Sequence, residues 1–331
     1  MFLVLKNSAQ NWQPTANLVN LRKRAEILSQ IRNFFYQRNI LEVETPLLCS
    51  ASIPDPNIHS LQTQCLVAGQ AYPKTFYLQT SPEFAMKRLL AAGSGSIFQI
   101  GKAFRDAEMG SYHNPEFTML EWYHLNFDHQ QLMNEMDELL QVVLKTKPAE
   151  RLSYQELFER YIGVNPHTAT PAILSDKLQE FSINIDQHAL MGGDDYLNLL
   201  MTHTIEPELG REKPIFVYDY PASQSALARL RKTASYQVAE RFEVYYHGTE
   251  LANGFHELTD AMEQKKRFEQ EQEKRVAQGL SPMPLDAHFL AALEQGLPDC
   301  AGVALGVDRL IMLALGVSDI QEVITFPTHL A

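Results

Sequence analysis

The chain has 331 residues, with 40 acidic against 28 basic side chains and a formal net charge of −12. A protein that mainly binds a nucleic-acid backbone usually carries a basic face, so this balance disfavours such a role without excluding RNA. The three cysteines lack metal-ligand spacing and indicate reduced thiols. The apolar run in the opening MFLVLKNSAQNW is too short for a signal peptide. No segment reaches the roughly 20 apolar residues of a membrane span. We therefore expect a cytoplasmic protein without a membrane segment.

Helices and short strands alternate in the predicted order of elements. Apolar residues recur every three or four positions from Leu18 to Phe35, which predicts an amphipathic helix. A short strand from Leu41 ends before Pro46, and Thr80 precedes the next helix. Two strands joined by a loop follow between Phe104 and Tyr123. Further helices are predicted at 128–144, 153–161, 171–181, 194–205 and 263–278. Strands are predicted at 215–220 and 241–246. A last strand begins at 302 and is followed by a helix that ends near 315.

Short strands joined by hairpins and interrupted by helices predict an α+β fold. Its sheet is expected to be mainly antiparallel and flanked by helices, rather than parallel and doubly wound. The helical segments between about 150 and 210 are typical of an insertion. We therefore expect a single domain over residues 1–331.

The stretch from Phe104 to Tyr123, FRDAEMGSYHNPEFTMLEWY, carries the strongest chemical pattern. Arg105 stands at a strand end, where a guanidinium can bind a phosphate through two hydrogen bonds. Phe117 offers an aromatic face to a flat base.

Two further segments carry chemistry nearer the C-terminus. Gly302 and Gly306 allow a ligand to approach the strand backbone closely, and Asp308-Arg309 opens the helix that follows. Upstream, Glu243 and Glu250 are expected on one face of two strands joined by a tight turn. Paired carboxylates suit Mg²⁺, which binds one or two acids together with substrate phosphates, although solvated surface acids are the commoner case.

These segments resemble motifs 2 and 3 of the class II aminoacyl-tRNA synthetases in their lysyl-type forms HNPEFTMLEWY, NGFHELTDA and GVDRL. The helix, strand and proline between residues 18 and 46 resemble motif 1, which builds the dimer interface of that family. The resemblance covers about residues 15 to 327. It implies the class II catalytic core, ATP and Mg²⁺ as ligands, and a homodimer.

On the nucleotide side, the resemblance assigns catalytic roles to Arg105 and Arg309. Arg105 would bridge the α-phosphate and the substrate carboxylate, and adenine would lie between Phe117 and Arg309. Glu243 and Glu250 would bind the metal. The remaining residues expected near ATP are Asp106, Ala107, His113, Asn114, Glu250, Leu251 and Gly306.

On the amino-acid side, Glu83 would meet the substrate amino group, while Glu257 and Tyr123 would receive the far ammonium. A buried carboxylate is costly unless a cation pairs with it, so Glu257 implies a lysine-like substrate. The full set expected to contact the substrate is Ser81, Pro82, Glu83, Tyr123, Asn253, Glu257 and Ala304.

The chain departs from the lysyl-tRNA synthetases in three ways. The motif 1 helix begins near residue 18, so we do not expect the N-terminal anticodon-binding barrel. Ser81 replaces an alanine and Ala304 a motif 3 glycine. Ala107 stands where motif 2 has a glutamate, and Glu108 is not expected to replace it, because adjacent strand residues point to opposite faces.

The first two departures, with YPASQSALA and ELANGFHELTDA, resemble a paralogous family, the elongation factor P lysine ligases. These enzymes activate (R)-β-lysine and pass it to the ε-amino group of a lysine on elongation factor P. Moving the substrate amino group from C2 to C3 agrees with reshaping at Ser81 and Ala304, where one methyl group is worth about 1–3 kcal/mol.

Two other functions stay open. The first is a minimal enzyme that charges tRNA with α-lysine, which the acidic charge and the expected lack of an anticodon barrel disfavour. The second is a non-catalytic paralogue that binds a ligand, which the retained Arg105, Arg309, Glu243 and Glu250 disfavour. Elongation factor P is therefore the expected protein partner, and tRNA is not.

Overall fold

The computed structural model describes residues 12–69, 71–183 and 192–331. The signal-peptide prediction concerns the first residues, most of which lie outside this part of the chain. Within it, no helix is long and apolar enough to cross a membrane. The chain divides into two compact units. The first comprises the described residues up to Trp122, Asp260–Leu297 and Gly306–Ala331, and the second comprises Tyr123–Thr259 and Pro298–Leu305.

The elements follow the predicted order. The helices are α1 (Leu18–Tyr36), α2 (Glu83–Ala91), α3 (His129–Leu144), α4 (Tyr154–Tyr161), α5 (Pro171–Glu180), α6 (Gly193–Leu200), α7 (Ala261–Ala277), α8 (Ala287–Gly296) and α9 (Val307–Leu315). The strands are β1 (Leu41–Glu42), β2 (Leu48–Cys49), β3 (Gln62–Cys65), β4 (Lys74–Leu78), β5 (Ile97–Phe104), β6 (Glu116–Leu125), β7 (Glu150–Ser153), β8 (Ile215–Pro221), β9 (Leu230–Lys232), β10 (Gln237–Tyr246), β11 (Thr249–His256) and β12 (Cys300–Gly306).

Side-chain caps explain where several helices begin. The Asn17 side chain accepts from the N–H of Asn20 at 2.8 Å and caps α1. Asp128 and Gln131 form a capping box at the start of α3. Each cap satisfies a backbone donor that the first helical turn leaves without an intrahelical partner. These starts lie within a residue or two of the predicted ones.

The first unit holds two groups of strands. In the smaller sheet, β4 lies between β2 and β3 and is antiparallel to both. In the other group, β1 is parallel to β5, with Leu41 opposite Ile97, and β6 is the next neighbour of β5. Because β5 ends at Phe104 and β6 begins at Glu116, residues 105–115 form the loop that carries much of the predicted nucleotide site. Helix α2 packs against α8 in the same unit.

The second unit is built on strands in the order β12-β11-β10-β8-β7, with β9 beside β10. The pairs are antiparallel except for β7 and β8, which are parallel. Apolar side chains of α4, α5 and α6 form a buried core with β8 and β10. The prediction of an α+β fold with a mainly antiparallel sheet and flanking helices is thus confirmed. The single domain and the insertion at 150–210 stay predictions.

Candidate active site

Arg105 is the first residue after β5. Its guanidinium carbon lies 5.2 Å from the ring centroid of Phe117, a cation–π distance. One guanidinium nitrogen is 3.8 Å from Oε1 of Glu108. The buried Nε has no hydrogen-bond partner among the described residues. Since a buried donor without a partner is costly, this N–H is suited to an anionic ligand.

Residues 105–108 do not continue β5, so Glu108 is not placed by strand alternation as expected, and whether it replaces the missing glutamate stays a prediction. The strand ends at Phe104, residues 106 and 107 form a turn, and Glu108 directly follows this turn. Ala107 has φ of 63°, in the left-handed region, and its N–H donates to Oδ1 of Asp106 at 2.8 Å. Strand alternation does not apply in such a turn, and the Glu108 carboxylate accordingly lies close to Arg105.

Arg309 in the first turn of α9 contacts the far part of the same loop. Its guanidinium is bonded to Nε2 of His113, and its Nε lies 3.4 Å from the carbonyl oxygen of Tyr112. Burial and the Arg309 charge lower the pKa of His113, which favours the neutral imidazole that can accept this bond. The base-stacking role of Arg309 beside Phe117 stays a prediction.

Asn114 and Asp308 make hydrogen bonds that hold the neighbouring segments in place. The Asn114 amide donates to the Glu116 carbonyl at 2.6 Å and accepts from the N–H of Thr328 at 3.0 Å, so both ends of the amide are engaged. The buried Asp308, which follows the Gly306 cap of α9, accepts from the N–H of Thr118 at 2.7 Å and pairs with Arg24 at 2.6 Å. These bonds fix α9 beside β6.

Ser81 and Glu83, predicted to contact the amino acid, are joined to two buried charged residues of the first unit. Ser81 Oγ donates to Glu121 at 2.9 Å and accepts from the N–H of Glu83 at 3.0 Å. Pro82 occupies the N-cap position of α2, and Glu83 therefore lies in its first turn. There the Lys87 ammonium lies 2.6 Å from the Glu83 carboxylate, and Lys87 is only 1% exposed. Ser81 thus contacts the Glu121 carboxylate directly and is linked through the Glu83 backbone to the ion pair of Glu83 and Lys87.

Replacing Lys87 by methionine should lower the free energy of unfolding by roughly 3 kcal/mol, because the change removes one partner of a largely buried ion pair. Urea unfolding of both proteins measures the difference. Lys23→Met is the matched control: Lys23 pairs with Glu26 on the exposed face of α1, where such a pair contributes about 0–1 kcal/mol. Equal small losses in the two variants would contradict the structural role of Lys87.

Tyr123 and Glu257 lie together in the second unit, on either side of Gly302. Both side chains are buried. A Cβ atom built at Gly302 would lie 2.3 Å from the Tyr123 ring and 2.6 Å from Oε1 of Glu257. In this structure the groups that closely approach Gly302 are these two side chains, and the predicted approach of a ligand stays a prediction. The phenolic ring and the carboxylate predicted to receive the far ammonium are therefore brought together.

Asn253 and Ala304 face each other across β11 and β12. The Asn253 side-chain oxygen accepts from Nε of Arg241 at 3.2 Å, which orients its amide. Leu251 is buried at a bulge where β11 has one residue more than β10. The structure thus brings Asn253 to the strand position where Ala304 adds a methyl group.

Glu243 and Glu250 lie on one face of β10 and β11, as predicted. Glu250 is opposite Tyr245, and Tyr245 shares its face with Glu243 two residues away. The Glu243 carboxylate is surrounded by the hydroxyls of Tyr220, at 2.5 Å, and Tyr245, and by the Arg241 guanidinium. Burial and the Glu243 charge raise the pKa values of both tyrosines, so their hydroxyls stay protonated as donors.

The donors in this cluster fit Mg²⁺ in their chemistry. Carboxylate oxygens are the ligands that this hard cation prefers, together with substrate phosphates. Glu206 adds a third acid: burial raises its pKa first, and the negative charge of Glu243 raises it further. The negative charges of Glu243 and Glu206 therefore repel each other. Arg241 supplies one positive charge beside three acids, so a cation beside Glu250 would lower the electrostatic cost.

Comparison with known proteins agrees with this geometry. The family model described as tRNA synthetases class II (D, K and N) matches residues 4–330. The chain belongs to that family. A protein of Salmonella arizonae is 51% identical over 315 residues, which are 95% of this chain and 97% of the relative. A protein of Photobacterium profundum is 51% identical over 98% of this chain and the whole relative. Both are named elongation factor P–(R)-β-lysine ligase.

The structure places several buried charged residues beside the motifs of this class II family. The sequence analysis did not predict these residues. Glu121 shares a strand face with Tyr123, and this two-residue spacing was an available signal. Lys87 follows Glu83 by four residues on a helix, the spacing of an ion pair. Arg241 precedes Glu243 by two strand residues in the same way. Nothing in the local sequence indicated Glu206.

Proposed function

We propose that the protein is a ligase that activates (R)-β-lysine with ATP and transfers it to a lysine ε-amino group of elongation factor P. The observation that carries this proposal is 51% identity, over almost the full length of both chains, to relatives with that name. The side chains around Gly302 support it from the chemical side, since a buried carboxylate beside a phenol suits a substrate with a terminal ammonium.

Glu257 would select the basic end of the substrate. It is 1% exposed, and an ionised carboxylate at such a depth is stabilised by an ammonium that pairs with it. Tyr123 would close the same end with its ring and hydroxyl. An uncharged amino acid would make no charge–charge contact with this carboxylate, so it should bind much more weakly.

Arg105 would act at the reacting phosphate. In the activation step the substrate carboxylate attacks the α-phosphorus, the acyl-adenylate bond forms, and the bond to pyrophosphate breaks. The guanidinium offsets the negative charge that builds on the phosphate oxygens, and its N–H groups match their geometry. The contact with the Phe117 ring would hold it in place for this role.

Glu243 and Glu250 would hold Mg²⁺, which supplies positive charge to the ATP phosphates when bound. Tyr220, Tyr245 and Arg241 orient the Glu243 carboxylate through their hydrogen bonds. These supporting residues restrict its rotation, so its oxygens are held in one position.

The transfer step needs a neutral amine beside the adenylate carbonyl. The acceptor nitrogen forms the amide bond, AMP leaves, and the amine loses a proton. No covalent enzyme intermediate is required, and proximity supplies much of the rate. Ser81 and Ala304 are the positions that would favour the β-amino isomer, since Ser81 is bonded to Glu121 and Ala304 lies opposite Asn253.

The acyl acceptor is tested by incubating the protein with ATP, Mg²⁺ and labelled (R)-β-lysine, with either elongation factor P or tRNA. We expect label on elongation factor P and none on tRNA. Elongation factor P with arginine in place of its acceptor lysine is the control and should stay unlabelled. Label on tRNA alone would overturn the proposal, and an absence of substrate-dependent pyrophosphate exchange would favour a non-catalytic paralogue.

A homodimer in the cytoplasm is the proposed state. Exposed apolar residues on and next to the motif 1 helix support the dimer: Leu18, Val19, Tyr36 and Leu41. Apolar groups of this kind gather at interfaces between subunits.

A further inference from the structure

His256 at the end of β11 lies between two carboxylates. Its Nδ1 is 2.6 Å from Glu240 of β10, and its Nε2 is 3.0 Å from Asp299 just before β12. The residue is only 9% exposed. An ionised carboxylate can only accept hydrogen bonds, so both ring nitrogens must carry protons. The geometry is that of an imidazolium that joins the strands on both sides of β11.

The surrounding charges balance only with this proton. Asp219, Glu240 and Asp299 supply three negative charges. Arg229 pairs with Asp299, and Arg231 pairs with Asp219 at 2.6 Å and with Glu240 at 3.2 Å. The imidazolium supplies the third positive charge. Among the described residues, His129, which lies 3.5 Å from Asp219, is a further titratable group beside this network.

A metal ion is the competing explanation for this cluster. His129, Glu240 and His256 offer ligand atoms within 4.8 Å of one another. Two guanidinium groups already neutralise two of the three acids, however, so a divalent ion in place of the proton would leave one excess positive charge in a buried place. The observed pairing therefore favours a proton.

Hydrogen bonds link this network to the backbone of Glu257. Arg229 shares Asp299 with His256, and its Nε donates to the Glu257 carbonyl at 3.1 Å. The Arg229 backbone N–H donates to the His256 carbonyl at 2.9 Å, and the Glu257 N–H donates to the Cys300 carbonyl at 3.0 Å. The strand segment that carries the Glu257 side chain is thus held through partners of His256.

We propose that the imidazolium of His256 is a positioning group that holds Glu257 in place for the substrate ammonium. The proposal rests on the proposed function, in which Glu257 receives that ammonium. Without the proton, one ring nitrogen would present a lone pair to a carboxylate oxygen. The two groups would repel each other, and the bridge between the strands would open.

This role predicts a pH dependence with a defined sign. Burial opposes the charge on His256, but the hydrogen bonds to Glu240 and Asp299 outweigh it and raise the pKa above the ordinary 6.5. The hydrogen bond from His256 likewise lowers the pKa of Glu240. Because the folded-state pKa is raised, the positioning effect is complete below about pH 6.5 and is lost as the pH rises through the higher folded value.

The test replaces His256 by glutamine, which keeps the polarity but not the charge. We expect the KM for (R)-β-lysine in pyrophosphate exchange to rise roughly tenfold, as for the loss of a charge-assisted hydrogen bond. The KM for ATP and kcat should change much less. The excess of the variant KM over the unaltered protein should shrink as the pH rises above 6.5. His203→Gln, on an exposed site, is the matched control and should change neither constant.

Asp299→Asn is a second variant, at a half-exposed carboxylate, in case the first does not fold; it should shift the KM in the same direction.

Glu257→Gln separates the two proposals. If Glu257→Gln weakens substrate binding and His256→Gln does not, the positioning role is wrong. If Glu257→Gln also binds normally, the proposed function of the pocket is wrong. The positioning role would also be wrong if the purified protein held stoichiometric metal and the His256→Gln variant did not. An equal rise in the KM for (R)-β-lysine and the KM for ATP would contradict it as well.

Discussion

Replacing Gly302 by valine should reduce (R)-β-lysine-dependent pyrophosphate exchange by at least about 100-fold. A side chain at this position would lie 2.3 Å from the Tyr123 ring and 2.6 Å from the Glu257 carboxylate, distances that real Cβ atoms do not adopt. Both groups must therefore move. A misplacement of about 1 Å near a reacting centre costs on the order of 10²-fold in rate.

The binding of ATP distinguishes this effect from misfolding. The residues predicted to contact adenine lie on the loop of residues 105–115, β6 and α9, so calorimetry should give the variant nearly the same affinity for ATP. Gly193→Ala is the matched control, because a Cβ atom at Gly193 meets nothing within 4 Å. Full activity of Gly302→Val with unchanged KM for the amino acid would show that this pair is not the ammonium site.

Local periodicity was enough to predict several of the elements and the faces of some of their residues, although it did not predict α8, β7 or β9. The three- and four-residue spacing of apolar side chains between Leu18 and Phe35 predicts α1 almost to the residue. Period-two alternation likewise places Glu243 and Glu250 on one side of a hairpin, and the observed register agrees. The family was then indicated by the resemblance of these segments to motifs that occur in the same order along class II synthetase sequences.

Contacts between distant segments could not be predicted in this way. Tyr220 lies 23 residues before Glu243, and only the pairing of β8 with β10 brings its hydroxyl to the carboxylate. Ser81 and Glu121 are 40 residues apart, and their bond needs α2 to lie beside β6. His256 similarly contacts Asp299, which is 43 residues away and which no local pattern places beside it. In each case a strand shows its own alternation but not the identity of its neighbour.

The turn at Ala107 shows the same limit at short range. Alternation along a strand predicted that Glu108 would point away from Arg105, yet the chain leaves the strand at Phe104. The left-handed backbone of Ala107 then turns the loop, and Glu108 lies close to Arg105. A single unusual φ value is enough to invalidate an argument from periodicity.

Arg105→Lys should lower the rate of pyrophosphate exchange roughly 100- to 1,000-fold, the usual effect of removing one donor that stabilises a developing anion. Lysine keeps the charge but not the planar fork, and it cannot reproduce the stacked contact 5.2 Å from the Phe117 ring. The loss should fall on kcat, with little change in the KM for (R)-β-lysine. Steady-state exchange kinetics measure both constants.

The control for this change is Arg160→Lys, where the guanidinium pairs with Glu150 on an exposed helix face and lysine can serve equally well. If Arg105→Lys retained a kcat close to that of the control, the buried Nε donor would not act on the phosphate. The positive charge alone would then suffice, and the planar guanidinium would be needed only for its contact with Phe117. The change from arginine to lysine therefore tests geometry while the net charge stays constant, which is the distinction that the unsatisfied donor at Nε raises.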